Sequence, residues 1–381
     1  MKVSQKIFKD GVITAGGLAP LAALEPQLVL VFGSESVFAE ESMFPRLREA
    51  FPTALLAGCS TAGEIAGARV YDGSCVVTVT HFSRVGVRQA RGSVSGMEES
   101  EAAGGSIGSQ LRAPDLKGVL LFSKGVGVNG SSVIQGIISQ IGADIPVTGG
   151  LAGDGGAFRR TLVLDDRGVS ENGVVGIGLY GESLRLGHGS YGGWEPFGPA
   201  RRVTRCEGNL LFELDGEPAL NVYKSYLGEY AKDLPASGLL FPFEMLSRDQ
   251  SRLGLIRTIL GVDETQGSLI LAGDIDTNGY LRLMHASTDA LVNGAEAAAQ
   301  ASRRMVEDAG PGLALLVSCV GRKLVMGDNV DEEVEVVADS FAPGTVTTGF
   351  YSYGEISPFS TTTDCKLHNQ TMTITFLNEE D

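Results

Sequence analysis

The segment LVLVFGSESV (28–37) begins as a continuous run of apolar and β-branched residues, which is typical of a strand buried on both faces of a sheet. A helical pattern follows at 41–51, and a short strand, TALLAG (53–58), leads into the turn GCSTAGEI (58–65). A second buried strand, CVVTVTHF (75–82), ends the unit. This order predicts a strand–helix–strand unit that is extended by a further strand.

The same order of patterns recurs twice along the chain. The second copy has the strand GVLLFS (118–123), a helical stretch at 131–141 and the turn GGLAGDGG (149–156). The third runs from LALLVSCVG (313–321) to TVTTGFYSYGEISPF (345–359), and it shares the triplet Gly-Glu-Ile with the first. Repeated units of this kind predict an α/β fold of mixed parallel and antiparallel sheets flanked by helices, in two pseudo-similar halves.

The second half begins after a stretch rich in Pro and Gly. Residues 189–199 have the composition of a linker, which places a domain boundary near 200–215. We predict a hairpin at 268–285, turned at Thr277-Asn278-Gly279, and an amphipathic helix at 288–309.

Charge limits the kinds of partner that the chain can have. It carries 30 Lys and Arg against 46 Asp and Glu, for a net charge of −16. An excess of negative charge repels nucleic-acid phosphate and anionic lipid, so the sequence predicts neither as a partner. No apolar run approaches the ~20 residues that a membrane-spanning helix needs.

Length and cysteine usage indicate the organisation and the compartment. A chain of 381 residues predicts two or three domains, and residues 1–27 are expected to form a helical lead-in. Its apolar part is broken by Gly and Pro, which argues against a signal peptide. The five cysteines are odd in number and lack the C-x-x-C spacing, so the sequence predicts a cytoplasmic protein without a zinc knuckle or disulfide framework.

Carboxylates beside glycines are the first candidate functional groups. Glu64, Asp154 and Glu355 each lie at a glycine turn of a repeated unit. They could act as acid and base, bind a ligand that carries a cation or amine, or brace the turn, and we favour the last two. Ser60 in GCSTAG lacks the G-x-S-x-G pattern, so a turn serine is favoured over a nucleophile, and a hydrolase is kept as an alternative.

Four histidines are present, without the spacing of a metal site. His81 and His285 lie in or beside apolar strands, where a structural role is the default. His188 is flanked by glycines near Trp194, and His368 lies in the polar run LHNQT (367–371). A polar side chain at a buried position needs a partner or a ligand, so both histidines are candidates for either.

Five motifs in order make the chain similar to the FIST family. They are GCSTAGEI (58–65), GGLAGDGG (149–156), ELDGEPALNVY (213–223), GFYSYGEISP (349–358) and LHNQTMT (367–373). The resemblance covers nearly the whole chain. It implies an N-terminal FIST domain at 28–212 and a C-terminal FIST domain at 213–381.

The resemblance also implies a function and a set of residues. FIST domains are regarded as intracellular sensors of small ligands rather than enzymes, so we expect no enzymatic activity. The ligand-binding positions that match the family motifs are Cys59, Ser60, Gly63, Glu64, Gly149, Gly150, Gly153, Asp154, Tyr351, Gly354, Glu355, His368, Asn369, Gln370 and Thr371.

The chain looks like the stand-alone bacterial form, which includes the nitric-oxide-sensing haem proteins called NosP. This implies haem b as cofactor, with His368 as the first choice of axial ligand and His188 as the second. It also implies a separate sensor histidine kinase or cyclic-di-GMP enzyme as partner, and the chain could form a homo-oligomer. A sensor of an amino-acid-like ligand without haem is the alternative.

Overall fold

Most of the described chain consists of three units that share one order of elements. The computed structural model describes residues 1–307, 309–359 and 365–380. In each unit a strand, a helical segment, a strand and a second helical segment precede four further strands, although unit 1 and unit 3 each divide the second helical segment into two helices. The three repeats that the sequence predicts are therefore confirmed.

The elements have the following bounds. Unit 1 contains β1 (Lys2–Phe8), α1 (Ala15–Ala22), β2 (Leu28–Gly33), α2 (Glu35–Phe38), α3 (Met43–Ala50), β3 (Leu55–Ser60), β4 (Glu64–Ala66), β5 (Arg69–Tyr71) and β6 (Cys75–His81). Unit 2 contains β7 (Gly86–Ser93), α4 (Ser100–Leu111), β8 (Leu116–Ser123), α5 (Gly130–Ile141), β9 (Val147–Leu151), β10 (Val163–Asp165), β11 (Gly168–Ser170) and β12 (Gly173–Tyr180).

Unit 3 is interrupted after its first strand, β13 (Leu184–Tyr191), by an additional sheet. The strands of this inserted sheet are β14 (Glu195–Pro196), β15 (Arg201–Glu207), β16 (Leu210–Leu214), β17 (Glu217–Pro218), β18 (Phe243–Leu246), β19 (Arg252–Arg257), β20 (Ile259–Asp263), β21 (Ser268–Leu271) and β22 (Tyr280–His285). The helix α6 (Ala219–Leu227) lies between β17 and β18 in the chain. Unit 3 continues with α7 (Thr288–Arg304), β23 (Leu313–Cys319), α8 (Val320–Met326), α9 (Asp331–Asp339), β24 (Val346–Ser352), β25 (Gly354–Pro358), β26 (Cys365–His368) and β27 (Met372–Glu379).

Each unit donates one pair of strands to the sheet of another unit. The three six-stranded sheets have the orders β1-β6-β2-β3-β10-β11, β7-β12-β8-β9-β25-β26 and β13-β27-β23-β24-β4-β5. Unit 1 thus receives β10 and β11 from unit 2, unit 2 receives β25 and β26 from unit 3, and unit 3 receives β4 and β5 from unit 1. This exchange places the turns before the donated strands at the junctions between units.

A central core receives side chains from all three sheets. The Phe32 ring stacks on Phe350, with 4.8 Å between the ring centroids, and meets Phe122 edge-on at 5.5 Å. All three rings are fully buried. Since each sheet pairs two parallel strands joined by helices, the strands are covered on both faces and read as continuous apolar runs.

The fold class is confirmed, and two local predictions are wrong. Residues 1–27 are not wholly helical, because β1 precedes α1 and pairs with β6 along its full length. The predicted hairpin at 268–285 does not form: β21 pairs with β16 and β20, whereas β22 pairs with β14, β15 and β18. The predicted helix at 288–309 is present as the shorter α7.

Candidate functional site

An apolar cavity of about 350 Å³ lies where unit 2, the strands that it receives from unit 3, and the inserted sheet meet. The residues that surround it are Met97, Gly125, Val126, Gly127, Val128, Asn129, Gly130, Leu151, Phe158, Asn209, Leu260, Ile270, Leu271, Ala272, Gly273, Asp274, Tyr353, Leu367 and Asn369. Small-molecule sites are commonly cavities of ~300–1,000 Å³ with apolar walls and a few polar groups. The volume and walls fit that class.

One wall is the loop 125–130, which follows β8 at the carboxyl end of the parallel pair β8 and β9. Ligands in sheets with parallel strands are typically bound at this edge. The loop leads into α5, where the Asn129 side chain accepts a hydrogen bond from the Ser132 backbone N–H at 3.2 Å. The first N–H groups of a helix have no partner within it, and the helix dipole favours negative charge there.

Asn369 supplies a polar group to the wall of the cavity. It is 2% exposed, and its Nδ2 donates to the His368 carbonyl at 3.0 Å. Its Oδ1 is buried and has no hydrogen-bond partner within residues 1–307, 309–359 and 365–380. A buried polar atom without a partner costs about 1–3 kcal/mol, so this oxygen is the clearest candidate for a ligand contact.

Two aromatic rings form another part of the wall. The rings of Phe158 and Tyr353 stack with their centroids 4.0 Å apart and their planes at 14°. The Tyr353 hydroxyl donates to Asp154, whose carboxylate also accepts from the backbone N–H groups of Phe158 and Arg159. Asp154 therefore holds the 154–160 loop and the tyrosine in place.

A second, acidic cavity of about 330 Å³ lies beyond that loop. It is bordered by Gly63, Glu64 and Asp154, together with Asp72 and the serines that follow β2. The glycine–acid turns of units 1 and 2 therefore share one cavity, whereas the turn of unit 3 does not border it.

Glu64 is engaged with its own unit rather than turned towards a ligand. Its Oε1 accepts from the Thr61 hydroxyl at 2.5 Å, and its Oε2 accepts from the Ser74 N–H at 3.0 Å and hydroxyl at 2.7 Å. Burial raises the pKa of the carboxyl above its usual value. These bonds join the turn before β4 to the start of β6.

Glu355 repeats this arrangement in unit 3. Its Oε1 accepts from the Ser352 hydroxyl at 2.8 Å, and its Oε2 accepts from the Thr371 N–H and hydroxyl at 3.0 and 2.9 Å. Burial raises its pKa from 4.5 to about 7. The correspondence with Glu64 accounts for the shared Gly-Glu-Ile triplet, because in both units the acid braces the turn.

We expect the buried Glu355 to make stability depend on pH. Since its pKa is higher in the folded state than in the unfolded state, the folded state takes up more protons, and this contribution to stability is complete below pH 4.5 and lost as the pH rises through 7. The loss amounts to about 3 kcal/mol.

The measurement is urea unfolding at a series of pH values, with Glu355→Gln as comparison because its side chain cannot ionise. Relative to Glu355→Gln, the unfolding free energy of the wild type should decrease between pH 4.5 and 7.5. A difference that stays constant across this range would contradict the assignment.

The Ser60 hydroxyl makes its hydrogen bonds within the protein. Its hydroxyl donates to the Gly153 carbonyl at 2.7 Å and accepts from the Leu162 N–H at 2.9 Å, and the residue is fully buried. This is the turn serine that the sequence favours. The geometry gives no support to the alternative of a serine hydrolase.

The two histidines proposed as haem ligands border neither cavity. His368 Nε2 donates to the Ser357 carbonyl at 2.9 Å, and the ring lies edge-on to Phe359. His188 lies on β13 opposite Thr375 of β27, and its Nδ1 has no partner in the described chain. Burial lowers the pKa of both imidazoles to about 4, so both are neutral at pH 7.

An axial ligand needs a free ring nitrogen that faces a space large enough for a porphyrin. Both histidines are 2% exposed, and neither lines either of the two cavities described above. Trp194, which lies near His188 in the sequence, is 8% exposed and donates through its Nε1 to the Gln370 carbonyl. The residues present therefore do not fit a haem, which stays a prediction without support from the geometry.

The other predicted positions lie inside the packed structure. A Cβ on Gly149 would lie 2.1 Å from the Leu121 carbonyl oxygen, so close packing of β8 and β9 explains this glycine. The Tyr351 hydroxyl donates to Glu333 at 2.6 Å, and Gln370 donates to the Leu239 carbonyl at 2.9 Å. The remaining members of this buried set are Cys59, Gly150, Gly153, Gly354 and Thr371.

Several residues of the apolar cavity were missed by the sequence analysis. The loop GVGVNG (125–130) follows a buried strand and precedes a helix, and this signal could have identified it. Phe158 and the segment 270–274 carry no comparable signal. Of the predicted ligand-binding set, Asn369 alone borders the apolar cavity within the described residues.

The described residues contain no helix that is both long and apolar enough to cross a membrane. In the same residues no group of three or more His, Cys, Asp or Glu side chains could hold a metal ion.

Two curated relatives share 28% identity with the chain. The match to an uncharacterized protein of Methanocaldococcus jannaschii covers 50% of this chain and 39% of that protein. The match to an uncharacterized protein of Mycobacterium tuberculosis covers 58% of this chain and 59% of that protein. The matched part thus spans less than two thirds of either relative.

Among solved structures, a cyanuric acid hydrolase from A. caulinodans aligns over 100% of this chain and 99% of its own, at 10% identity and a TM-score of 0.32. PurL of T. maritima, complexed with FGAR, aligns over 98% of this chain and 72% of its own, at 9% identity and a TM-score of 0.20. At these scores the likeness supports no conclusion about fold or activity.

The match to domain families is of a different kind, because it covers most of the chain. The FIST N domain matches residues 27–217, and the FIST C domain matches residues 219–358. The chain belongs to the FIST family, whose domains act in signal transduction as sensors of small ligands.

Proposed function

We propose that this protein senses an amino-acid-like ligand, without haem, and that the ligand binds in the apolar cavity. The observation that carries the proposal is the buried Oδ1 of Asn369, an acceptor without a partner in the described chain, at the edge of a largely apolar cavity. A ligand with a cationic or N–H donor group would satisfy this oxygen.

The cavity offers complementary groups for both ends of an amino acid. The start of α5, at Gly130, favours a carboxylate because the helix dipole is positive there. Asn369 Oδ1 and the Asp274 carboxylate favour an ammonium group. The apolar remainder of the wall fits a side chain.

A ligand at this position would contact both FIST domains. Gly125–Gly130 belong to the matched FIST N region, whereas Asn209 lies near its end and 270–274 belong to the FIST C region. A ligand shifts an equilibrium between conformations only through its different affinity for them, and contacts with two domains supply such a difference.

We propose that this shift is the signal, and that a histidine kinase or a cyclic-di-GMP enzyme in the cytoplasm receives it. A protein complex is expected to form with different affinities in the presence and absence of the ligand.

The proposal is tested by thermal unfolding in the presence of each of the twenty common L-amino acids. Ligand at about 100 times its Kd should stabilise the folded state by about 2.7 kcal/mol. Analogues that lack the ammonium or the carboxylate group, such as 3-phenylpropanoate and phenethylamine, serve as matched controls and should stabilise much less. If no amino acid changes the melting temperature, the proposal is wrong.

A further inference from the structure

The stacked rings of Phe158 and Tyr353 indicate which class of ligand the apolar cavity binds. We infer that the apolar cavity selects a ligand with an aromatic side chain, and that Phe158 determines this selectivity. The inference rests on the proposed function, because it specifies which amino-acid-like ligand the same cavity takes.

Hydrogen bonds of the Tyr353 hydroxyl fix the position of the stacked pair. The Tyr353 hydroxyl accepts from the Gly156 N–H at 2.9 Å while it donates to Asp154, and its side chain is 8% exposed. Phe158 lies against this ring and borders the cavity itself. The rings thus form a rigid, planar surface rather than a flexible apolar lining.

Phe158 occupies a backbone conformation that a bulky residue rarely adopts. Its φ is 53°, in the left-handed region, where Gly or Asn is the usual residue. Asp154 holds it there by accepting from the Phe158 N–H at 2.8 Å. A strained residue that its surroundings fix beside a cavity is typical of a functional position.

The size of the cavity agrees with an aromatic amino acid. A volume of about 350 Å³ corresponds to roughly twelve water molecules at ~30 Å³ each. Phenylalanine, with twelve non-hydrogen atoms, fits within this volume, whereas alanine or valine would leave more of the wall without contacts.

Contacts between aromatic rings contribute binding free energy beyond that of the apolar area that they bury. Offset-stacked and edge-to-face pairs add an affinity factor of about 2- to 12-fold. A cyclohexyl ring has nearly the same shape but lacks the π system, so L-cyclohexylalanine isolates this contribution from that of volume.

The experiment is calorimetric titration of the full chain with L-phenylalanine, L-cyclohexylalanine and L-leucine. We expect the wild type to bind phenylalanine more tightly than cyclohexylalanine by at least about twofold and than leucine by about tenfold. In Phe158→Leu this preference should disappear while leucine still binds. Phe158→Tyr should retain it, and the exposed Phe197→Leu is the matched control.

The outcomes separate this inference from the proposal on which it rests. If leucine or cyclohexylalanine binds the wild type as tightly as phenylalanine, aromatic selectivity is wrong and the amino-acid sensor stands. The same conclusion follows if Phe158→Leu keeps the full preference, since another residue then sets it. If none of the three ligands binds but another amino acid raises the melting temperature, aromatic selectivity is wrong and the amino-acid sensor stands. If none of the twenty amino acids does so, both are overturned.

Discussion

The substitution Asn369→Leu is expected to weaken binding of L-phenylalanine by about 10- to 100-fold. Loss of a hydrogen bond to a charged group costs ~1.5–3 kcal/mol, and each 1.4 kcal/mol is a factor of ten in affinity. Leucine has nearly the shape of asparagine, so the cavity keeps its volume. Since Oδ1 has no partner in the described protein, its removal leaves no protein donor unsatisfied.

Calorimetric titration of the variant and the wild type measures this effect. Asn278→Leu is the matched control, because Asn278 is exposed on a turn of the inserted sheet and does not border the cavity. Two effects of Asn369→Leu on the melting temperature without ligand oppose each other, because the variant removes the unpartnered Oδ1 and also the Nδ2 bond to the His368 carbonyl. An affinity within about twofold of the wild type would show that Asn369 does not contact the ligand.

The substitution Arg322→Met is expected to cost about 3–5 kcal/mol of unfolding free energy, the largest effect on stability that we predict. Arg322 Nη2 lies 2.6 Å from Glu333 Oε2, and both side chains are fully buried. The guanidinium also donates to the carbonyls of Gly192 and Leu291. Its removal would leave the buried Glu333 carboxylate without its cation.

Urea unfolding provides the measurement, and a double variant identifies the cause. Arg322→Met combined with Glu333→Met should be less destabilised than the sum of the two single variants, because the uncompensated charge is then absent. The exposed pair Lys232 and Glu229 is the control, and Lys232→Met should cost less than about 1 kcal/mol. A cost below about 1 kcal/mol for Arg322→Met would contradict the prediction.

The repeats could be predicted because each contains long buried strands with a strong apolar signal. The exchange of strands between units could not, since the donated strands are short. β4 has only three residues, and its partner Gly349 lies almost three hundred positions from Ile65. Nothing in three residues specifies such a distant partner. The same limit explains the wrong hairpin, where two genuine strands were paired with each other instead of with their neighbours.

The sequence located part of the candidate site for a physical reason. Four polar residues in LHNQT interrupt a buried region, and Asn369 among them borders the apolar cavity. The acids beside glycines were equally conspicuous, but Glu64 and Glu355 hydrogen-bond within their own units. Phe158 was not identified because its significance lies in its backbone conformation and in its contact with Tyr353, almost two hundred residues away.

The most direct test is to fill the apolar cavity. Ala272 borders it and is half-buried, so Ala272→Phe would place a ring in the space that we assign to the ligand. The exposed Ala236→Phe is the matched control. In calorimetric titrations with L-phenylalanine, we predict one binding site in the wild type and in the control, and no detectable binding in Ala272→Phe. Equal affinity in all three proteins would place the ligand elsewhere and contradict the account.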